Sequence, residues 1–434
     1  MADHIEHDHG GDGIDRRGFL RCMAWAGTGM LWVMRGGVLG SAALGAGATA
    51  HDAMAATAGA DLFFLQISDS HIGFGREANP DVPATLQAAV DRINALPQRP
   101  AFLLHTGDIS QLARPGEFDT AEQIIRGART VTGRTFYVPG EHDVLGDNGA
   151  EYLRRHGQGT HGGGWYSFDY QGVHFVGLVN VLDLKPGGLG NLGPEQLAWL
   201  ARDVRPLSAS TPVVVFAHVP LWSVYPQWGW GTDDGEQALR LLRRFGSVTV
   251  LNGHIHQVMQ KVEGNATFHT AMSTAFPQPA PGSAPAPGPM RVESNRLRDF
   301  LGLSTISFTR GDHSLAVVDA TLSGASPSAV AAEWATAGIA TPQAAASPAG
   351  AAANQVRIDN FSFSPATLTV PSGAAITWAN HDDVPHQIAS ADHSFATSSV
   401  IDSGQTFTLR LPRPGTYRYF CPIHPRMVGT VQVR

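Results

Sequence analysis

The chain has 434 residues, of which 43% are hydrophobic and 15% are charged, and its formal net charge is −7. This length exceeds that of one ordinary domain, and the composition is typical of a globular chain and excludes a disordered one. The modest negative charge provides no basic surface for nucleic acid or for an anionic membrane. Histidine, the commonest metal ligand, occurs 19 times, so the spacing of these residues decides whether they form metal sites.

The first 50 residues have the pattern of an export signal. Arg16 and Arg17 precede Phe19 and Leu20, and an apolar, Gly/Ala-rich stretch follows to about residue 50. This pattern resembles a bacterial twin-arginine signal, which implies a periplasmic or extracellular location. The alternative is a membrane anchor, but the apolar run at 22–34 has 13 residues, whereas a membrane-spanning helix needs about 20. We therefore expect no stable membrane anchor.

The two cysteines, Cys22 and Cys421, lie near opposite ends of the chain. Because Cys22 falls within the predicted signal, Cys421 would be the only thiol of the exported protein. A single cysteine in an exported protein is expected to be reactive or metal-bound rather than part of a disulfide.

Residues 58–320 alternate between short apolar β-type runs and helical windows with an apolar face. The predicted strands are 62–67, 101–105, 135–138, 173–179, 212–217, 248–251, 305–309 and 314–319. The predicted helices are 84–96, 116–126, 194–204 and 236–245. This alternation predicts a layered α/β domain.

A second domain is predicted after a linker. Ala, Pro and Ser dominate residues 321–353, which is a composition typical of linkers. Apolar and polar residues alternate again over residues 354–434, with later β-type runs at 406–411, 416–420 and 430–433. This pattern predicts a small all-β sandwich.

Acidic and histidine residues follow five of the predicted strands. They are Asp69 and His71, then Asp108, then Glu141 with His142 and Asp143, then His218, and finally His254 with His256. Loops at the carboxyl ends of strands are where α/β domains assemble their sites. Carboxylates combined with imidazoles suit iron, manganese or zinc. The spacing therefore predicts a metal site built from all five loops.

In this order, the five clusters resemble the calcineurin-like metallophosphoesterase superfamily, close to its class III cyclic-nucleotide phosphodiesterase branch, over about residues 61–320. The resemblance implies an αββα sandwich, a dinuclear metal site, and hydrolysis of a small-molecule phosphodiester, rather than a monoester, by a hydroxide that bridges the two ions. It implies the following roles: Asp69, His71 and His256 on the first metal, Asp108 as the bridge, Glu141, His218 and His254 on the second metal, His142 toward the leaving group, and Asp143 orienting His142.

Two positions depart from the family pattern. Glu141 stands where the pattern has Asn, and Asp108 is followed by Ile109, Ser110 and Gln111, whereas purple acid phosphatases have a Tyr there. The second departure argues against an iron–tyrosinate enzyme. Two hypotheses about Glu141 stay open. Its charge either lowers the Lewis acidity of the second metal and repels an anionic substrate, or it is simply an alternative ligand in a working enzyme.

The predicted sandwich carries a different set of metal-binding residues. His386 lies upstream, and Cys421, His424 and Met427 follow with two residues between each pair. Two imidazoles, a thiolate and a long axial thioether are the ligands of a blue-copper site. The segment resembles the plastocyanin/amicyanin family of cupredoxins, which implies a Greek-key sandwich with one copper ion bound by these four residues. The alternative is a sandwich in which the cysteine and the methionine are ordinary core residues.

Three functions of the whole chain stay open. The first is an exported phosphoesterase whose fused blue-copper domain exchanges electrons with a redox partner protein. The second is a copper-binding electron-transfer protein whose phosphoesterase domain is a weak or non-catalytic binding module, and the third is a scaffold with neither activity. Trp222, Trp228 and Trp230 follow His218 and either form the wall of a substrate pocket or pack in a surface loop.

Overall fold

The computed structural model describes residues 60–309, 315–325, 327 and 354–434, and the backbone of a hairpin formed by Met30–Arg35 and Val38–Ala43. Apart from that hairpin, the export signal predicted over residues 1–50 lies outside the described residues, and so does most of the predicted linker 321–353. None of the helices in the described part of the chain is long and apolar enough to cross a membrane.

Two sheets form the first domain. Its strands in the described ranges are, in chain order, β1 (Leu62–Ile67), β2 (Leu103–His105), β3 (Thr135–Tyr137), β4 (Tyr166–Tyr170), β5 (Val173–Gly177), β6 (Val213–Ala217), β7 (Val248–Asn252), β8 (Gln260–Glu263), β9 (Ala266–Thr270), β10 (Gly302–Phe308) and β11 (Ala316–Thr321). One sheet has the order β11-β10-β1-β2-β3, in which β1, β2 and β3 are parallel. The other has the order β8-β9-β7-β6-β5-β4, in which β5, β6, β7 and β9 are parallel. The parallel strands therefore end at a common edge of each sheet.

Helices cover the outer faces of these sheets. They are α1 (Val82–Asn94), α2 (Pro115–Ile125), α3 (Ala150–His156), α4 (Gly193–Val204) and α5 (Gly235–Leu242). Leu86 of α1 and Leu103 of β2 belong to one buried apolar cluster. Leu200 of α4 and Val215 of β6 belong to another, on the opposite side of the domain. Helices therefore lie on both sides of the paired sheets.

The sheets pack face to face through aromatic side chains. The ring of Phe64 in β1 lies 5.1 Å from that of Phe102 and 5.3 Å from that of Phe175 in β5. These rings belong to a buried cluster that includes Val214 and Phe216 of β6. The layer order is helix, sheet, sheet, helix, and the αββα sandwich predicted from the sequence is confirmed.

The helix α1 shows how the sequence sets an element boundary. The Asp81 carboxylate accepts a hydrogen bond of 3.1 Å from the backbone N–H of Ala84, and Pro83 stands in the first turn. Both are features of a helix N-terminus. The helix therefore starts at Val82, two residues before the predicted start.

The second domain is all β, as predicted. Its strands are β12 (Gln355–Ile358), β13 (Phe363–Ser364), β14 (Thr367–Val370), β15 (Ala375–Asn380), β16 (Ala389–Ser390), β17 (Thr406–Arg410), β18 (Gly415–Phe420) and β19 (Val428–Val433). They form two four-stranded sheets in the orders β13-β12-β15-β17 and β14-β19-β18-β16. The parallel pairs β12–β15 and β14–β19 require connections that cross between the sheets. The arrangement is a Greek-key sandwich.

Aromatic residues fill the centre of this sandwich. The ring of Tyr419 lies 5.4 Å from that of Trp378 and 4.9 Å from that of Phe363, and all three are buried. The loops that follow β15 and β18 lie beside each other, since His386 of the first is in contact with Cys421 of the second.

Candidate functional site

The five acid and histidine clusters all follow strand ends at one edge of the first domain. Asp69 and His71 follow β1, and Asp108 follows β2. The 3-10 turn Glu141–Val144 comes after β3. The remaining histidines follow β6 and β7, and they are His218, His254 and His256.

The backbone at several of these positions adopts an uncommon conformation. Asp69, His71, Asp108, His254 and His256 all have positive φ angles, between 41° and 71°. Such angles are uncommon for residues other than glycine, and they persist only where the surrounding fold enforces them. Residues of this kind concentrate at functional sites.

Two glycines in these loops are required by close packing. A Cβ atom at Gly140 would collide with the carboxylate of Asp108. A Cβ atom at Gly253 would collide with the hydroxyl of Ser68. The absence of a side chain at both positions lets the loops approach each other.

The first group of side chains consists of Asp69, His71 and His256. The Nε2 atoms of His71 and His256 lie 3.2 Å apart, and Asp69 Oδ1 lies 3.3 Å from His256 Nε2. The Nδ1 of His256 donates to the Phe276 carbonyl at 2.6 Å, and that of His71 donates to the Gln111 amide oxygen at 2.9 Å. When these rings are neutral, both Nε2 lone pairs therefore face the same space. A cation would relieve the repulsion between them, as in a metal site.

The second group consists of Glu141, His218 and His254. Glu141 Oε2 lies 3.0 Å from His218 Nε2, and Glu141 Oε1 lies 2.9 Å from His254 Nδ1. His218 Nδ1 donates to the Thr106 carbonyl at 2.7 Å, which again directs the Nε2 lone pair of a neutral ring into the site. Although Glu141 Oε2 and His218 Nε2 are close, neither has a well-directed hydrogen-bond partner. This donor set also fits a metal ion.

Asp108 lies between the two groups. Its Oδ2 is 3.5 Å from His71 Nε2 and 3.3 Å from His218 Nε2. Its Oδ1 accepts a hydrogen bond of 2.9 Å from the backbone N–H of His142. One carboxylate therefore reaches both groups of ligands.

The electrostatics favour the protonation states of metal ligands for the carboxylates and for His71. At His218, burial lowers the pKa, but Asp108 and Glu141 outweigh it and hold the pKa well above its usual value. Burial alone would raise the pKa of Asp69 and of Glu141, but nearby imidazoles, mainly His256 and His254 respectively, outweigh it and lower both. Burial lowers the pKa of His71 to about 3. The carboxylates are therefore ionised and His71 is neutral.

The sandwich domain brings a thiol and two imidazoles together. Cys421 Sγ lies 3.6 Å from His386 Nδ1 and 3.8 Å from His424 Nδ1, and the two Nδ1 atoms lie 3.3 Å apart. Met427 is buried on the same loop, where its carbonyl accepts from the Cys421 N–H and its N–H donates to the His424 carbonyl. The geometry of His386, Cys421 and His424 suits a trigonal copper site.

Residues 64–258 match the family model of calcineurin-like phosphoesterases, and residues 329–433 match that of cupredoxin-like domains. Amicyanin-alpha from Methylorubrum extorquens is 32% identical over 90 residues, which cover 20% of this chain and 74% of amicyanin-alpha. The chain belongs to the cupredoxin family through its C-terminal domain, and its first domain is a calcineurin-like phosphoesterase domain.

Two further comparisons concern one domain each. The glycerophosphodiester phosphodiesterase GpdQ of Enterobacter lignolyticus is 27% identical over 230 residues, which cover 50% of this chain and 79% of that protein. A solved structure of a purple cupredoxin from Nitrosopumilus maritimus is 33% identical and has a TM-score of 0.18; the match covers 18% of this chain and 98% of that one.

His142 and Asp143 in the phosphoesterase domain differ from the sequence prediction in their partners. His142 Nδ1 donates to the Gln111 carbonyl at 2.8 Å. The Asp143 carboxylate instead accepts hydrogen bonds of 2.8–3.0 Å from the backbone of Ile109, Ser110 and Gly140 and from the Ser110 hydroxyl. The prediction that Asp143 orients His142 is therefore corrected, because Asp143 joins two loops and a backbone carbonyl orients the imidazole.

Gln111 and Asp382 contact the proposed ligands through their side chains and were not singled out from the sequence. Gln111 contacts His71 through its side chain and His142 through its carbonyl. Asp382 in the cupredoxin domain accepts a hydrogen bond of 2.8 Å from His386 Nε2. Burial lowers the pKa of His386, but Asp382 and Cys421 outweigh it and raise the pKa to about 9. The sequence feature that could have identified Asp382 is its position four residues before His386. A search restricted to residues that bind metal directly does not use this spacing.

Both sites open into one cavity of about 280 Å³. The phosphoesterase domain contributes Asp108, Glu141 and His142 to its lining, and the cupredoxin domain contributes His424 and Met427. Trp228 and Trp230 also line this cavity, which favours the pocket-wall interpretation for these two tryptophans over the surface-loop interpretation.

Proposed function

We propose that this protein is an exported phosphodiesterase with a dinuclear metal site and a fused mononuclear blue-copper domain that transfers electrons. The observation that carries the hydrolytic half is the convergence of the two ligand groups on Asp108, with imidazole lone pairs directed into shared space. The ligands would be Asp69, His71 and His256 for one ion, Glu141, His218 and His254 for the other, and Asp108 for both.

Two metal ions bound there would polarise the phosphate oxygens and lower the pKa of a coordinated water. The chain itself supplies the proton transfer. Because the Gln111 carbonyl accepts from His142 Nδ1, that nitrogen keeps its proton. Nε2 is then the ring nitrogen that is available to a substrate in the cavity. A protonated His142 can therefore donate from Nε2 to the departing oxygen as a general acid.

The charge of the cavity favours a diester over a monoester. Apart from imidazoles, Arg426 is the only cationic side chain among the described residues that line it. A monoester carries up to two negative charges and a diester one, so beyond the charge that two bound metal ions would neutralise, a diester needs less compensation from side chains. The similarity to a glycerophosphodiester phosphodiesterase supports the same choice.

The copper half of the proposal rests on the His386, Cys421 and His424 cluster with Met427 on the same loop. A copper ion held by this set would cycle between two oxidation states without a change of ligands, which suits electron exchange with a redox partner protein. Export rests on Arg16 and Arg17, and replacing both with lysine should retain the protein in the cytoplasm in a cell-fractionation experiment.

A second candidate function is a copper protein whose phosphoesterase domain only binds its ligand. The observation in its favour is Glu141, which adds a negative charge beside Asp108. Burial and, after it, that charge raise the pKa of Asp108, although neighbouring imidazoles, His218 first among them, lower it overall.

Hydrolysis of bis(p-nitrophenyl) phosphate by the manganese-loaded full-length protein separates these functions. We expect turnover in the wild type, a loss of about 1,000-fold in Asp108→Ala, and retained turnover in Cys421→Ser. The copper-loaded wild type and Asp108→Ala should both show an intense visible band that Cys421→Ser lacks. An absence of hydrolysis with manganese, iron and zinc would contradict the phosphodiesterase assignment, and an absence of the band would contradict the blue-copper assignment.

A further inference from the structure

The cupredoxin domain sits over the opening of the phosphoesterase site. The imidazole rings of His142 and His424, one from each domain, lie 6.4 Å apart at an interplanar angle of 68°. The cavity between them is lined by both domains. Residues 423–427, which carry two of the four proposed copper ligands, therefore form part of the wall of the hydrolytic site.

Hydrogen bonds connect this wall to the phosphoesterase domain on one side of the cavity. The Gly187 N–H donates to the Pro425 carbonyl, and Arg426 Nη1 donates to the Gly187 carbonyl. The side chain of Arg426 also lies 3.6 Å from the position that a Cβ atom would take at Gly229. Two hydrogen bonds therefore join the loop around Gly187 to the loop that carries Cys421, His424 and Met427.

Ion pairs join the domains at other points. Arg291 lies 2.7 Å from Glu77 in its own domain and 3.2 Å from Asp383 in the cupredoxin domain. Arg76 lies 3.5 Å from Asp402. These pairs are partly exposed and contribute little energy each, so they mark where the two domains meet rather than hold them together.

Apolar contacts close the cavity further. The ring of Phe361 packs so closely over Gly288 that a Cβ atom there would lie 2.7 Å from it, and it lies 4.7 Å from the ring of His424. Phe276 and Ile423, one from each domain, also line the cavity and belong to one continuous apolar cluster. The surface that the cupredoxin domain presents to the hydrolytic site therefore combines bulky apolar side chains, such as Phe361, Ile423 and Met427, with the polar side chains of His424 and Arg426.

We propose that the cupredoxin domain forms a roof over the dinuclear site, consisting of Phe361 and residues 423–427, and that this roof restricts the enzyme to phosphodiesters with compact substituents. This proposal rests on the proposed phosphodiesterase function. A cavity of about 280 Å³ is smaller than the range of about 300–1,000 Å³ that is usual for small-molecule sites. A nucleotidyl or phospholipid substituent would require the roof to move.

The first test compares two chromogenic diesters with the full-length, metal-loaded protein. The substrates are methyl p-nitrophenyl phosphate, which is compact, and the p-nitrophenyl ester of thymidine 5′-monophosphate, which is bulky. In Phe361→Ala and in Arg426→Ala, we expect kcat/KM for the bulky diester to rise about 10-fold relative to that for the compact one, mainly through KM, because a steric barrier to binding has been removed. Arg410→Ala is the matched control, since Arg410 donates to the Gly373 carbonyl at the end of the sandwich remote from the copper ligands.

The second test does not depend on turnover. Inorganic phosphate added to the copper- and manganese-loaded protein would bring an anion close to His424, and we expect the visible copper band to shift. The shift should be absent in Asp108→Ala, which lacks the bridging carboxylate.

The two tests separate the roof from the function on which it rests. An unchanged selectivity ratio in both roof variants, or an unshifted band in the wild type, overturns the roof while the phosphodiesterase assignment stands. If no diester is hydrolysed, the assignment fails and the band alone decides: a phosphate-dependent shift supports the roof and a constant band overturns it.

Discussion

The two proposed metal sites of this chain are built in opposite ways. The ligands of the dinuclear site span residues 69–256 and stand on five loops, so the site depends on two sheets packing in register. Three of the four proposed copper ligands stand within residues 421–427, and only His386 comes from another loop. A dispersed site is therefore sensitive to changes throughout its domain, whereas the local site is sensitive mainly to its own loop.

The sites also differ in how the protein holds their imidazoles. In the phosphoesterase domain, His218 and His256 each donate an N–H to a backbone carbonyl. In the cupredoxin domain, His386 donates to the carboxylate of Asp382. A carboxylate makes the imidazole a stronger electron donor than a neutral carbonyl does. Among these three described histidines, the one with a charged acceptor behind it is therefore the proposed copper ligand His386.

The largest expected effect comes from His218→Ala. This imidazole is fully buried, and its Nε2 lies 3.0 Å from Glu141 and 3.3 Å from Asp108. Its removal takes one imidazole partner from each of two buried carboxylates, which costs about 3–5 kcal/mol in the metal-free protein, and it should reduce turnover about 1,000-fold by loss of the second metal. Metal analysis and thermal unfolding with and without manganese check this. Two metal ions per chain with wild-type turnover would contradict it, and an unchanged copper band serves as the internal control.

A smaller loss of stability is expected from Asp143→Asn. The buried carboxylate accepts four hydrogen bonds that join the loops at 107–110 and 140–143. An amide nitrogen in place of one oxygen faces donors and leaves them unpaired, at a cost of about 1–3 kcal/mol, or a lower Tm by about 2–10 °C for a domain of this size. Asp147→Asn is the matched control, because exposed Asp147 accepts from Gly149 and Ala150 at a helix start, where Asn serves equally well. Equal melting temperatures in both variants would refute the role of Asp143 in joining the loops.

The next effect sharpens the contrast between the two kinds of imidazole support. Asp382→Asn keeps a hydrogen-bond acceptor at His386 but removes the negative charge. We expect a higher reduction potential and a copper affinity about 10-fold lower, because the ligand becomes less basic and the cupric state loses stabilisation. Spectroelectrochemical titration measures the potential, and Asp392→Asn, an exposed aspartate in the same domain, is the control. A potential equal to that of the wild type would show that the charge of Asp382 does not reach the copper.

The sequence was sufficient where one local property determines the structure. The run Val213–Ala217 is apolar throughout because its strand is covered on both faces, and it was predicted as a strand. The strand Gln260–Glu263 was missed because it lies at a sheet edge, where mostly polar residues carry no periodic signal. The positions of the candidate ligands could be predicted because each follows a strand, and the order of strands in α/β domains places those ends together.

What the sequence could not provide depends on distances between remote segments. Asp143 and His142 are neighbours in the chain, which suggested that one orients the other, yet the 3-10 turn directs the carboxylate toward Ser110 and away from the imidazole. His142 and His424 are far apart in sequence, yet their rings lie 6.4 Å apart and both line the same cavity. No local pattern encodes such a contact, because it arises from the packing of two domains that each fold by their own rules.

The smallest expected effect concerns Glu141, where the phosphoesterase domain departs from its family pattern. Glu141 Oε1 and Oε2 reach His254 and His218 at 2.9 and 3.0 Å, so the carboxylate occupies the position from which an amide oxygen would bind in the family pattern. A neutral ligand would leave more positive charge on the second metal and repel an anionic diester less. We therefore expect Glu141→Asn to raise kcat at saturating metal about 2–5-fold, a change of about 0.4–1 kcal/mol in the barrier, and to weaken binding of the second metal. Glu141→Gln, which keeps the length of the side chain, separates the effect of charge from that of reach. If both variants turn over at the wild-type rate or more slowly, Glu141 is an ordinary alternative ligand. The two domains then differ in how their metal sites are built, and the charge of Glu141 does not limit the turnover of the phosphoesterase domain.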